Sequence, residues 1–279
     1  MIYTSTSCLK NPQNIIKVLD EYEKAGIQNV ELGSVHNYFQ RKKLKKYNFN
    51  FIVHGYFPPP KIPFNFNLAS QNETIREKSI KLGKSAIDVC VEIESPIFTF
   101  HAGFTVDPMK LGKRFPRTRI TDRNIAIDTF VESSHKILDY ARSFGIKIAM
   151  ELNVVQKFNL DYGKNKLLLF ADYEETVIFL KKFKKNEIGI LLDLGHTSVT
   201  SHWLNFDKDK FVEKIKKFVS VVHASNNNGL QDQHKQLTKD CWQISKLKKF
   251  KNIPITLETM NLTTNEIKKN IHIAEEAIK

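Results

Sequence analysis

Short apolar, β-branched runs recur along the chain, each followed by a longer stretch with helical spacing. This alternation narrows the fold more than any other feature. The strand candidates are Ile2 to Ser5, Asn29 to Leu32, Asn50 to His54, Ile97 to His101, Lys147 to Glu151, Gly189 to Asp193, Val219 to His223 and Pro254 to Glu258. Near-continuous apolar strands fit a sheet covered on both faces, as parallel sheets are. Between them, Asn14 to Ala25 carries Ile15, Val18, Leu19 and Tyr22 on one helical face and stops at Gly26. Glu73 to Glu94, Asp122 to Phe144, Tyr173 to Phe183, Lys208 to Phe218 and Thr264 to Ile278 follow the same pattern. Eight strand–helix units predict an α/β fold, a single (β/α)8 TIM barrel over residues 1–279. An open doubly wound sheet is the alternative, but no glycine-rich dinucleotide fingerprint follows the first strand.

Composition adds bounds. Hydrophobic residues make up 41% and charged residues 26% of 279, which excludes wholesale disorder, collagen and a coiled-coil rod. No run approaches the roughly 20 apolar residues of a membrane helix, so no membrane partner is expected. The N-terminus, MIYTSTSCLK, lacks a basic start followed by an apolar run, so no secretory leader is expected. Cys8, Cys90 and Cys241 are odd in number and far apart, which favours a reduced, cytoplasmic setting. The net charge of +13 suggests nucleic acid or a phosphorylated substrate.

In a barrel, polar residues at the C-terminal ends of strands point into the mouth. The third to eighth strand candidates end in His54, His101, Glu151, Asp193, His223 and Glu258. One such histidine is more often structural, but six ionisable groups on one rim are costly to bury unless something neutralises them. A divalent cation does so, and imidazole with carboxylate suits zinc, manganese or iron. His196, in DLGH, and Asp232 and His234, in LQDQH, join from what read as loops, giving nine candidate ligands and two or three ions. His36 faces the same rim as a weaker candidate, and His202 sits in the loop after DLGH. His135 and His272 fall in outer helices and read as packing or surface residues.

With these motifs in place, IVHG, NLAS…REKSI, FTFHAG, AMELN, ILLDLGHT, VVHASNN, LQDQHKQL and LETM, the chain resembles the xylose isomerase-like TIM-barrel superfamily. That group holds sugar and sugar-phosphate isomerases and epimerases and endonuclease IV-type AP endonucleases. FNLASQNETIREKSI followed by FHAG is similar to endonuclease IV. The resemblance implies a trinuclear zinc cluster: His54, His101 and Glu151 on one ion, Glu151, Asp193, His223 and Glu258 on a second, His196, Asp232 and His234 on the third. AGIQNVELG and ASNNNGLQDQHKQL are similar to the isomerase branch, in which Glu151, Asp193, His223 and Glu258 hold one ion. The loop GYFPPPKIPF departs from the endonuclease pattern; Tyr56, Phe57 and Phe64 stand where that family wedges into DNA.

The resemblance implies first a sugar or sugar-phosphate isomerase or epimerase using one to three ions of zinc, manganese, cobalt or magnesium. Glu151 and Glu258 would move the α-proton through a metal-stabilised enediolate, with His196 or His101 placing a substrate oxygen. The second expectation is an AP endonuclease hydrolysing DNA at abasic sites, and the third a non-catalytic metal-binding relative. The segment KLGKRFPRTRITDR holds Lys110, Lys113, Arg114, Arg117, Arg119 and Arg123. Arg114, Arg117 and Arg119 are read as a phosphate clamp, for a sugar phosphate or a DNA backbone, against the plainer reading of a solvated loop.

Overall fold

Every predicted strand forms. In the computed structural model, which describes residues 1–108 and 113–279, β1 (Ile2–Ser5), β2 (Asn29–Leu32), β3 (Asn50–His54), β4 (Ile97–His101), β5 (Lys147–Glu151), β6 (Gly189–Asp193), β7 (Val219–Ala224) and β8 (Ile255–Leu257) close into a barrel. Each pairs in parallel with the next, and β8 with β1. β7 runs one residue further than the sequence reading, and β8 ends before Glu258.

Helix starts coincide with short polar caps that satisfy free backbone N–H groups. Asn14 caps α1 (Ile15–Lys24), Asn72 caps α2 (Glu73–Glu92), Asp122 caps α3 (Arg123–Arg142) and Asp172 caps α4 (Tyr173–Leu180). Two helices were not anticipated, α5 (Leu194–Leu204) and α7 (Trp242–Leu247). Between them lies α6 (Lys208–Ile215), capped by Asp207, and α8 (Thr264–Ile278) opens with a Thr263/Glu266 capping box. His196 and His202 therefore belong to a helix and not to a loop, with the Asp193 side chain capping α5.

The barrel interior sets up the mouth. Tyr3, Ile52, Ile97, Ala149, Leu191 and Val221 form a buried cluster that plugs the barrel. Successive strand side chains alternate between faces. Two residues beyond this plug therefore come His54, Thr99, Glu151, Asp193 and His223, all facing inward, and His101 lies two beyond Thr99. The register keeps them level: His54 pairs with Thr99, His101 with Glu151 and Asp193 with His223. Cys8 and Cys90 are buried free thiols whose pKa values burial pushes up to about 12, and Cys241 is half-buried. Among the described residues, no helix is long and apolar enough to cross a membrane.

Candidate metal centre

Three ligand groups meet at the mouth. His54, Glu151 and His223 form one, Glu151, Asp193, His223 and Glu258 another, and His196, Asp232 and His234 a third; within each group the ligand atoms lie within 4.8 Å of one another. All the strand-end and loop residues singled out from the sequence are thus gathered except His101. His101 stands beside these groups, with its Nδ1 2.8 Å from Glu151 Oε2, and His223 lies with His54 and Glu151 in the first.

The histidines are held by one nitrogen and present the other. His54 Nδ1 bonds Thr99 Oγ1 at 2.8 Å, leaving Nε2 3.4 Å from Glu151. His234 Nδ1 donates to the Glu258 carbonyl at 2.9 Å, leaving Nε2 3.1 Å from Asp232. His196 Nδ1 lies 3.2 Å from the Leu152 carbonyl, leaving Nε2 3.4 Å from Asp232. His223 Nε2 is bound to Glu31 Oε2 at 2.9 Å, which turns Nδ1 toward Glu258 at 3.3 Å. Backing one ring nitrogen this way fixes tautomer and orientation, as metal-binding histidines require.

Glu31 stands directly behind His223 and was not singled out from the sequence. It is fully buried in β2, and Oε2 also accepts from Thr256 Oγ1 at 3.0 Å. The available signal was a carboxylate inside the apolar run NVEL, on a strand covered on both faces.

DLGH works through its cap. Asp193 Oδ1 accepts from the His196 backbone N–H at 2.8 Å, which fixes His196 in the first turn of α5 and leaves Oδ2 for the centre. Gly195 is required there: an added Cβ would sit 2.8 Å from Ser225 Oγ and 3.0 Å from Asp193 Oδ1.

The residues fit divalent cations. Among the described residues, nine buried side-chain polar atoms lack a hydrogen-bond partner, and five belong to candidate ligands: both oxygens of Glu151, Asp193 Oδ2, His223 Nδ1 and Asp232 Oδ1. Such atoms are costly to bury without a partner. Burial pushes the Asp193 carboxyl up, the response of an anion short of a cation. Glu151 is held well below the carboxylate range: burial opposes this, but the charges of His101 and His54 outweigh it. Burial likewise works against protonating His196, His223 and His234, yet Asp193 and Asp232 raise His196, Glu31 and Glu258 raise His223, and Asp232 lifts His234 to about 10. Asp232 is held low in turn, against its burial, chiefly by His196.

These shifts give a pH prediction. A histidine whose folded pKa is raised contributes stability below its ordinary 6.5, and that contribution is lost as pH rises through the folded value, about 10 for His234. Cation binding must expel the same protons. The metal-stripped protein should therefore weaken between these pH values, while the rise in Tm on adding zinc grows from about pH 6 to about pH 9. Differential scanning fluorimetry checks this; a zinc-induced rise that does not change with pH would contradict it.

The remaining candidates sort by contact. His36 is buried, with Nε2 2.7 Å from Thr6 Oγ1, and burial lowers its pKa to about 4. His135 stacks on Phe183, and His272 lies on α8. His202 sits edge-on to Trp203 in α5. The Arg117 guanidinium is spent elsewhere: it pairs with Asp161 Oδ1 at 2.6 Å and donates to the Phe158 and Leu160 carbonyls, so it staples two loops instead of facing the mouth. Arg123 does the same with Glu175 and the Leu168 carbonyl. Arg119 lines a separate polar cavity with Asn67, Ser70 and Asp107, and Arg114 is exposed. Lys110 lies outside the described residues. Phe57 is fully buried and cannot wedge into a duplex; Tyr56 and Phe64 are half-buried beside the mouth.

The ligands line a cavity of about 220 Å³ walled by Phe104, Phe115, Phe158, Leu168 and Met260. That is smaller than the roughly 300–1,000 Å³ of drug-sized sites, so it admits one small group.

Known proteins share this arrangement of chain. An uncharacterized protein of Methanocaldococcus jannaschii is 25% identical over 192 residues, 68% of this chain, and the match spans only 55% of that protein's length. A probable endonuclease 4 of Aquifex aeolicus is 23% identical over 236 residues, 78% of this chain and 73% of that protein. The crystal structure of a D-tagatose 3-epimerase-like protein superposes with a TM-score of 0.72 at 20% identity, covering 100% of this chain and 99% of that one, a likeness of fold. A family model described as xylose isomerase-like TIM barrel matches residues 39–279. With the closed barrel, that match places the chain in the xylose isomerase-like TIM barrel family.

Proposed function

We propose that the chain is a divalent-metal-dependent phosphodiesterase that cuts DNA at abasic sugars, in the manner of an AP endonuclease. The observation that carries this reading is the complete third ligand group, His196, Asp232 and His234, beside two groups that share Glu151 and His223. Enediolate chemistry needs only the four-residue group and leaves the third without a task. A phosphodiester, with charge on several oxygens, gives all three a task. Divalent ions there would supply a water of lowered pKa and neutralise charge on the phosphate.

The chain's own residues do the rest. Glu151 is the buried carboxylate that two groups share, Glu258 belongs to the four-residue group, and the Glu31, Thr99, Leu152 and Glu258 contacts hold the imidazoles in orientation. His196 reaches both Glu151 and Asp232, at 3.2 and 3.4 Å, and so ties the third group to the others. The small apolar-walled mouth suits a sugar without a base.

The test is a DNA duplex with one tetrahydrofuran abasic analogue. Zinc-loaded protein should nick it at the analogue and leave the unmodified duplex intact, with binding that weakens steeply as salt rises. An uncut duplex from protein of verified metal content would sink the reading.

The four-residue group, with Glu151 and Glu258 both lining the mouth, favours a second reading, a sugar or sugar-phosphate isomerase or epimerase with Glu151 and Glu258 moving the proton and His196 placing an oxygen. It predicts exchange of a substrate α-proton with solvent deuterium; no exchange across ketoses and their phosphates would remove it.

A further inference from the structure

A second chamber adjoins the mouth. It measures about 480 Å³, is walled by Tyr56, Phe64, Phe66 and Phe104, and shares Ser34, His101 and Phe104 with the ligand-lined cavity. Its walls are set. The Tyr56 hydroxyl accepts from the Phe64 backbone N–H at 2.7 Å, and the two rings stand 5.5 Å apart at 59°. Phe66 and Phe104 are buried. His101 forms the partition: Nδ1 lies 2.8 Å from Glu151, and Nε2 faces the chamber, where a Cβ on Gly55 would lie 3.3 Å away. Gly55 has a φ of +62°, so a side chain is disfavoured there on two counts.

We propose that this chamber receives the base of the nucleotide adjoining the abasic sugar, while the phosphate between them lies over the ligand groups. The proposal rests on the phosphodiesterase reading. Continuity fixes the occupant: what enters must be joined to whatever the mouth holds, and the mouth is too small to hold a base as well. Aromatic walls stack any base through its face, so this recognition is sequence-tolerant. Ser34 and His101 line the chamber and offer a hydroxyl and an imidazole nitrogen to the edge of a planar heterocycle, while the Asn65 amide is held by the Pro108 carbonyl.

The experiment compares two probes on the zinc-loaded full chain by isothermal titration calorimetry. They are 2′-deoxyadenosine 3′-monophosphate and base-free 2-deoxyribose 5-phosphate. The nucleotide should bind about 5- to 150-fold more tightly, the range that base–aromatic stacking gives. Phe64→Ala should shrink that ratio, and Val35→Trp, which fills the chamber from another wall, should shrink it too. Equal affinity for both probes, or a ratio that neither variant moves, overturns the chamber and leaves the phosphodiesterase reading standing. Failure of both probes to bind, together with an uncut abasic duplex, overturns that reading and the chamber with it.

Discussion

Glu151→Gln should lower abasic-site cleavage by at least about 10³-fold, more than the 10²–10³-fold that loss of one electrostatic contact costs an active site. Two of the three ligand groups contain Glu151, and its carboxylate is buried. Three histidines approach it: His101 at 2.8 Å, His196 at 3.2 Å and His54 at 3.4 Å. Glutamine keeps the shape but removes the charge that two groups share, so the groups lose cations as well as rate. A ligand at a hundred times its Kd stabilises a fold by about 2.7 kcal/mol, so the zinc-induced rise in Tm should shrink in the variant. Single-turnover cleavage and scanning fluorimetry check the two arms. A variant that keeps both the zinc response and cleavage would mean that Glu151 is not the shared ligand.

The second large effect belongs to a residue outside the ligand set. Glu31→Ala should weaken zinc binding by about 10- to 100-fold, the usual consequence of removing the partner behind a metal-bound histidine. Glu31 Oε2 holds His223 Nε2 at 2.9 Å, which leaves Nδ1 as the one nitrogen that His223 can offer an ion. Without it the imidazole is free to turn, and Nδ1 no longer faces the centre. Glu31→Gln keeps an acceptor for the His223 N–H and should recover much of the loss. Competition against a chromophoric chelator measures this without reference to turnover. If the alanine variant binds zinc like the parent, Glu31 serves only to stabilise the barrel.

How much of this was legible in the sequence follows from which forces set each element. The strands were, because burial on both faces writes itself as short apolar runs, and the alternation of side chains then placed His54, Glu151, Asp193 and His223 on one face. α5 was not: every residue from Leu194 to Ser201 is buried, so it shows no apolar stripe against a polar one. α7, six residues long, offers too few turns for a period. The grouping of His223 with His54 and Glu151 depends on side-chain contacts that spacing does not encode. Arg117 looked free because its partner, Asp161, lies 44 residues away in another loop. Glu31 is the instructive omission, since a charged residue inside a doubly covered strand must have a buried partner.

The account stands on three ligand groups at one mouth, so the direct measurement is the zinc content of the full chain by elemental analysis after loading at about pH 8, where proton competition is weak. Two or three ions per chain are expected, falling by one when Asp232 and His234 are both replaced by alanine, in keeping with the separate third group. One ion per chain, unchanged by that replacement, would contradict the account and leave the four-residue group alone.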